Sequence, residues 1–438
     1  MTDDLPAGAA DPAMAAARGR FPDPRSRTVA VLLTALVAFG PVSTDLYLPS
    51  LPAMVDAFGT SVSRAQLTLS MFMAGFAVGM LIYGPLADRF GRRPVLLGGI
   101  LVYVAASIAC LVADGIDALI AARFFQAVGA CCGPVIGRAV VRDVHDRAQA
   151  ARMLSTMASA MALAPAIAPI VGGWMFTLFG WRANFVLLTL FGVAVLVATW
   201  RLLGETNRHK DPGALRPARV IGTFGLLLRN RTFLGYTLVV SFGFAGLFSF
   251  ISGSSFVIID VLGLPPQYFG FAFMAVVVGY IIGAFSGGRL SGRVGIDRLL
   301  ALGTALAVVA GGAAAVLSWL GLQSLATLIP FISVYFFATA WIIPLGTAGA
   351  MGPFPRIAGA VSSLLGFIQM TIGATAGYLV GALHDGTTHS LTTIMAVMGV
   401  ASALAYWGLV RPAAAASADG SADASATGSG PTEPSGPR

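Results

Sequence analysis

Two side chains in this sequence carry charge where their neighbours are least able to support it. Asp45 is the one carboxylate well inside a long apolar run, and Arg123 stands inside another. An acid surrounded by hydrocarbon is costly unless it is paired or wet. Because burial disfavours the charged form of a carboxyl group, Asp45 is a candidate for reversible proton exchange. Arg123 is the candidate modulator of that exchange, and Gln126, one helical turn further on, offers a polar contact to a cavity. At about 1.5 Å of rise per residue, Asp45 lies roughly 24 Å above the start of its apolar run and Arg123 roughly 11 Å below the start of its own. In a hydrocarbon core of about 30 Å the two are then within about one arginine length of the same depth. Pro41 is the expected break in the first helix. The plainer alternative for Asp45 and Arg123 is a static buried pair that fixes the packing of the first and fourth helices.

The elements that must position these groups are helices in a bilayer. Of 438 residues 57% are hydrophobic and only 11% charged, far from the mixture of a soluble chain. Twelve windows, from 29–48 to 391–410, are apolar over the roughly 20 residues that a membrane-crossing helix needs. Inside them the charged residues are Asp45, Arg123 and, at a window's end, Asp117. With the amino terminus placed inside, the outer loops hold only Arg64 and Arg182, and every lysine and arginine except these and Arg123 falls on the inner side. The net charge of +8 is therefore an orientation signal. It is not a nucleic-acid patch, because the arginines are dispersed over separate loops without interleaved aromatics.

The expected division is a cytoplasmic tail over 1–28, a six-helix bundle over 29–200, a polar cytoplasmic linker over 201–232, a second six-helix bundle over 233–411 and a disordered small and polar tail over 412–438. Both termini are expected in the cytoplasm. No loop is long enough for a catalytic domain, the single lysine, Lys210, follows His209 and so makes no phosphate-binding Gly-Lys-Ser/Thr loop, and the four histidines fall in loops. An enzyme is not expected. Cys110, Cys131 and Cys132 read as packing residues.

A second constellation lies between the second and third windows. Gly84-Pro-Leu-Ala-Asp88-Arg89-Phe-Gly91-Arg92-Arg93 packs charge and glycine into a tight re-entry. A displacement of 204 positions lays Gly288, Leu290, Arg293 and Gly295 onto Gly84, Leu86, Arg89 and Gly91, with Gly292 in place of Asp88. Two parallel repeats of six helices are a layout of secondary transporters.

This stretch resembles the loop signature of the major facilitator superfamily, Gly-x-Leu-Ala-Asp-Arg-x-Gly-Arg-Arg/Lys, at every defined position. Asp45-Leu-Tyr47-Leu-Pro49, Arg123-Phe-Phe-Gln126-Ala-Val-Gly129 and Ala164-Pro165-Ala-Ile-Ala168-Pro169-Ile-Val-Gly172-Gly173 are similar to motifs of its bicyclomycin and chloramphenicol resistance (Bcr/CflA) group of drug:proton antiporters. The resemblance covers about 25–411 and implies an all-α membrane protein of twelve helices in two six-helix pseudo-repeats. It implies proton-coupled efflux of small amphipathic compounds across the bacterial inner membrane by a monomer that uses the proton gradient and no cofactor. It also implies that Asp88 caps the eleventh helix near Gly359 as a cytoplasmic latch, and that Pro165, Pro169, Gly172 and Gly173 seal the outer side. Ala168 stands where the usual pattern has glycine, and Leu33–Ser43 lacks the further acid some drug antiporters carry. A single acid limits proton stoichiometry and weakens a case for dications. Tyr47, Gln126, Phe244, Phe248, Tyr335, Trp341 and Gln369 are the candidate cavity residues, aromatic and polar types suited to amphipathic cargo. Export of an endogenous metabolite or siderophore, proton-coupled uptake, and a sensor of the same fold stay open.

Overall fold

The computed structural model describes residues 21–412. Most of the proposed amino-terminal tail and nearly all of the carboxy-terminal one therefore lie outside the described residues. Eleven helices are long and apolar enough to cross a membrane, and a bent pair at the amino end makes the twelfth span. That first span consists of α1 (Arg27–Val37), α2 (Phe39–Asp45), a 3-10 turn (Leu48–Ser50) and α3 (Leu51–Phe58). The following spans are α4 (Val62–Phe90), α5 (Arg92–Leu111), α6 (Ile116–Val144), α7 (Arg147–Phe179) and α8 (Arg182–Leu202). After a connection holding α9 (Pro217–Arg229) come α10 (Arg231–Ser255), α11 (Pro266–Val294), α12 (Ile296–Trp319), α13 (Leu325–Met351), α14 (Ala358–Ala382) and α15 (His389–Ala405).

The internal repeat is visible at the backbone. α4 and α11 differ at both ends by the same 204 positions, and Gly91 and Gly295 end them with φ of 107° and 87°. Only glycine enters that region without steric cost, so each half turns from its second into its third span on the same kind of residue.

The first span bends by 45°, and the break falls at Ala38, three residues before Pro41. Pro41 lies in the first turn of α2, where a missing N–H costs nothing because that donor has no intrahelical partner. The linker expected to be polar also carries an amphipathic helix. Val220, Phe224 and Leu227, spaced by four and three, give α9 an apolar face that rests on the starts of α10 and α14.

The halves join along two seams. α4 packs against α14 from Gln66 and Gly381 at one end to Gly84 and Ser363 at the other, and α7 packs against α11. The three cysteines are buried; Gly79 faces Cys131 and Gly99 faces Cys132, so small residues let α6 settle closely onto α4 and α5.

Candidate functional site

Asp45 closes α2 and is 1% exposed, with Thr44 Oγ1 donating to its Oδ1 at 2.9 Å. No basic side chain bonds to it among the described residues. Directly after it the backbone of Leu46 meets Gly172 of α7 so closely that a Cβ there would strike the Leu46 carbonyl. Gly172 thus brings the fifth span onto the residue that follows the buried acid.

Arg123 is fully buried, and the static pair with Asp45, the plainer alternative, is not made. Its guanidinium lies between two rings, 4.2 Å from the centroid of Tyr47 and 4.3 Å from that of Phe72. Nη1 donates to Gln126 Oε1 at 2.5 Å, while Nε and Nη2 have no hydrogen-bond partner among the described residues. The reason is azimuth: residues two apart point to opposite sides of a helical turn, so presenting Tyr47 to Arg123 turns Asp45 away. The depth estimate had brought the two to one level but carried no information on facing.

A polar chain runs around this arginine. Gln126 Nε2 donates to Ser107 Oγ at 2.8 Å, Ser107 donates to the Tyr103 carbonyl at 2.7 Å, and the Tyr103 hydroxyl shares a 2.8 Å hydrogen bond with Ser43, two residues before Asp45. Tyr47 in turn shares a 3.0 Å bond with Thr68 of α4. Four spans of the amino-terminal half are therefore tied together around one cation. Ser43, Thr68, Tyr103 and Ser107 were not singled out from the sequence. Hydroxyls are common in apolar spans, and only the four-residue step from Tyr103 to Ser107 hinted at a shared face.

The predicted cavity residues separate. Tyr47 and Gln126 are fully buried and spent on Arg123 and its neighbours. Trp341 donates to the Gly283 carbonyl at 2.9 Å and to Ser286 Oγ at 3.1 Å, within the carboxy-terminal half. Tyr335 is buried against Gly246. Phe244 and Phe248 stack with centroids 6.0 Å apart over Gly373 and Gly377 of α14. Gln369, on the same helix, is 9% exposed and its side chain has no hydrogen bond among the described residues, between Gly366, which meets Met80 of the opposite half, and Gly373.

The stretch 84–93 is helical except at Gly91, the last turns of α4 and the start of α5, and it is bound chiefly to its own half. Arg92 pairs with Asp88 at 2.6 Å and with Asp143 of α6 at 3.0 Å. Arg93 donates to the carbonyls of Leu203 at 2.8 Å and Trp200 at 3.0 Å. Glu205 accepts from the backbone N–H groups of Arg92 and Arg93 at 2.9 and 3.2 Å, so a carboxylate caps the start of α5 where the helix dipole favours it. A Cβ at Gly91 would strike that carboxylate. Arg89 lies over Phe90, and Gly84 faces Ser363 of α14. The expected cap of α14 by Asp88 is absent: α14 begins without a side-chain cap, and Asp88 is held by Arg92 instead. Asp143 and Glu205, missed in the sequence, were legible only as rare acids among basic inner loops.

At the end of the spans that holds Gly173 and Gly270 the halves meet directly. Gly173 packs against the Pro266 carbonyl and Gly270 against the Ile170 backbone. Gln66 Nε2 donates across the seam to the Ser252 carbonyl at 3.1 Å. α7 remains one helix through Pro165 and Pro169. A cavity of about 330 Å³ lined by Asp56, Val62, Phe176 and Asp260 lies over this seam.

Comparison with known proteins places this geometry. The Major Facilitator Superfamily profile matches residues 31–378. A bicyclomycin resistance protein homolog of Haemophilus influenzae is 31% identical, the match covering 84% of this chain and 92% of that protein. Multidrug resistance protein D of Escherichia coli is 28% identical over 87% of this chain and 95% of its own length, and a chloramphenicol resistance protein of Pseudomonas aeruginosa is 29% identical over 84% and 89%. Among solved structures, a D-xylose-proton symporter superposes with a TM-score of 0.68 at 14% identity, covering 87% of this chain and 97% of that one.

Proposed function

This chain belongs to the major facilitator superfamily and is a multi-pass membrane transporter, not an enzyme, and from that premise we propose that it exports small amphipathic compounds in exchange for protons. The observation that carries the proposal is Asp45: a buried carboxylate with no cationic partner among the described residues, one residue before the close contact of Leu46 with Gly172 inside the same half. A carboxyl group so placed binds a proton without having to break an ion pair. In the outward-open state it takes a proton from the outside; in the inward-open state it returns the proton to the cytoplasm as cargo binds. With one such acid, proton and cargo compete for one carrier state, the simplest antiport scheme.

Arg123 contributes by its fixed field and by the chain Gln126–Ser107–Tyr103–Ser43, which reaches the helix bearing Asp45. Gln369 and the Phe244–Phe248 stack supply the polar and aromatic contacts for cargo, at the junction of α4, α10 and α14. Relatives named for bicyclomycin, chloramphenicol and multidrug resistance support antibiotics of this size and polarity as cargo. The reading also includes the bacterial inner membrane, cytoplasmic termini, a monomer, and the proton gradient as sole energy source. The two six-helix halves then rock as bodies about the 201–232 linker.

The test is collapse of a pH gradient in everted vesicles on adding chloramphenicol or bicyclomycin, for the parent protein and Asp45→Asn. Drug-dependent proton release by the parent alone is the expected result. A response that survives the substitution removes Asp45 from the mechanism. No response from an inserted parent protein rejects these drugs as cargo and turns the search to an endogenous compound.

A further inference from the structure

We propose that α9 is a membrane-surface element that recognises anionic phospholipid of the cytoplasmic leaflet. One face of α9, Val220, Phe224 and Leu227, is committed to the protein: Leu227 is fully buried and Phe224 packs on the core. A second apolar strip has no protein to cover it. Ile221 and Leu228, seven residues apart and so on one side of the helix, are 69% and 47% exposed.

Position supplies the occupant. Only Asn230 separates α9 from α10, which enters the membrane at once, so the open strip lies where head groups give way to acyl chains. A helix with an apolar face and arginines on its flanks lies in that plane. Charge completes the match. Arg216, Arg229 and Arg231 are exposed around α9, as is Arg356 in the turn leading into α14, which α9 touches. None of the four is paired with a carboxylate among the described residues. Asp211, the acid beside Arg216, accepts from the Gly213 N–H at 2.8 Å. Four unneutralised guanidiniums beside an uncovered apolar strip fit a phosphodiester head group bearing net negative charge and its chains. Because α9 rests on the first turns of α10 and α14, lipid held there bears on the inner ends of two spans that meet the opposite half.

The full-length protein carrying Ile221→Trp, in nanodiscs with acyl-brominated lipid as the minority component, tests this against the same protein without the added tryptophan. Brominated phosphatidylglycerol is expected to quench the added fluorescence beyond its share of the lipid, and brominated phosphatidylcholine not to. Each arginine near an anionic surface contributes about fivefold, so replacing Arg216, Arg229 and Arg231 together by Gln should return quenching to the lipid's share. The corresponding Lys variant should keep the enrichment and shows that the triple change is tolerated. Absence of quenching by either lipid places α9 off the membrane and overturns the proposal. Equal quenching by both, unchanged in the Gln variant, leaves apolar insertion without head-group recognition and overturns it as well.

Discussion

Gly172 and Gly173 are neighbours on α7 that face different bodies, and adding one methyl group to each should have opposite consequences. At Gly173 the added Cβ would sit 2.7 Å from the Pro266 carbonyl oxygen of the other half, where ordinary contact starts near 3.4 Å. The obstacle is backbone, so α7 and α11 must part by roughly 0.7 Å. Forced overpacking costs about 1–3 kcal/mol. In Gly173→Ala the cost falls on the outer-closed state alone, because the seam is open in the other. It therefore shifts the closed-to-open ratio about 5-fold to 150-fold. At Gly172 the obstacle is the Leu46 carbonyl of the same half, so the strain is present in both states and lowers stability without moving the equilibrium. Val62→Cys, at the cavity over the outer seam, reports opening through its rate of labelling by a membrane-impermeant maleimide, the native cysteines being buried. Gly173→Ala should label faster with little loss of thermal stability, and Gly172→Ala should melt earlier at an unchanged rate. A folded Gly173→Ala protein that labels at the parental rate would refute the view that the outer closure rests on this contact.

Gln126→Leu deprives Arg123 of its one hydrogen bond and leaves a third guanidinium nitrogen unpaired; a loss of about 1.5–3 kcal/mol is expected in thermal unfolding. Gln369→Leu has no bond to lose and should leave stability within about 0.5 kcal/mol while weakening cargo binding, measured by drug-induced fluorescence change. Glu205→Gln keeps the hydrogen-bonding shape but removes the charge at the start of α5, for a cost of about 0.3–1 kcal/mol by thermal melting; an unchanged midpoint would assign the contact to shape alone. His384, half-buried with its ring 6.0 Å from Phe256, has its pKa lowered because burial disfavours the imidazolium. Its unfolded loop binds the proton more readily, so local stability of 383–388 should fall as the pH drops through the ordinary histidine range. Lower amide protection factors in that loop at pH 5 than at pH 7.5, taken relative to the base-catalysed intrinsic rate at each pH and with the difference absent in His384→Phe, are the expected result.

What was legible in the sequence follows from how far each signal reaches. Spans come from local composition, and each window overlaps one helix or the bent span, with 94–113 and 324–345 overrunning a helix end by two residues and one; Gly91 and Gly295 could be matched because a positive φ writes itself into a single residue type. Depth is also one-dimensional, which is why Asp45 and Arg123 could be assigned to one level. Facing is not, because it depends on where the first span breaks, and that break sits at Ala38 and again after Asp45 and not at Pro41. The same limit explains Asp88. Its fit to a helix N-terminus was sound electrostatically, yet the choice among partners was settled by Arg92, one turn away and fixed from its other side by Asp143. Such an arrangement gives the inner loop a definite role in the alternation: a carboxylate already satisfied inside its own half can leave for α14 only if Arg92 retains Asp143. Arg92→Gln should therefore free Asp88 and strengthen the inner closure, slowing cytoplasmic-side labelling of Ser363→Cys, which faces Gly84 across the seam. Faster labelling would mean instead that Arg92 holds the loop against α14 and that Asp88 takes no part.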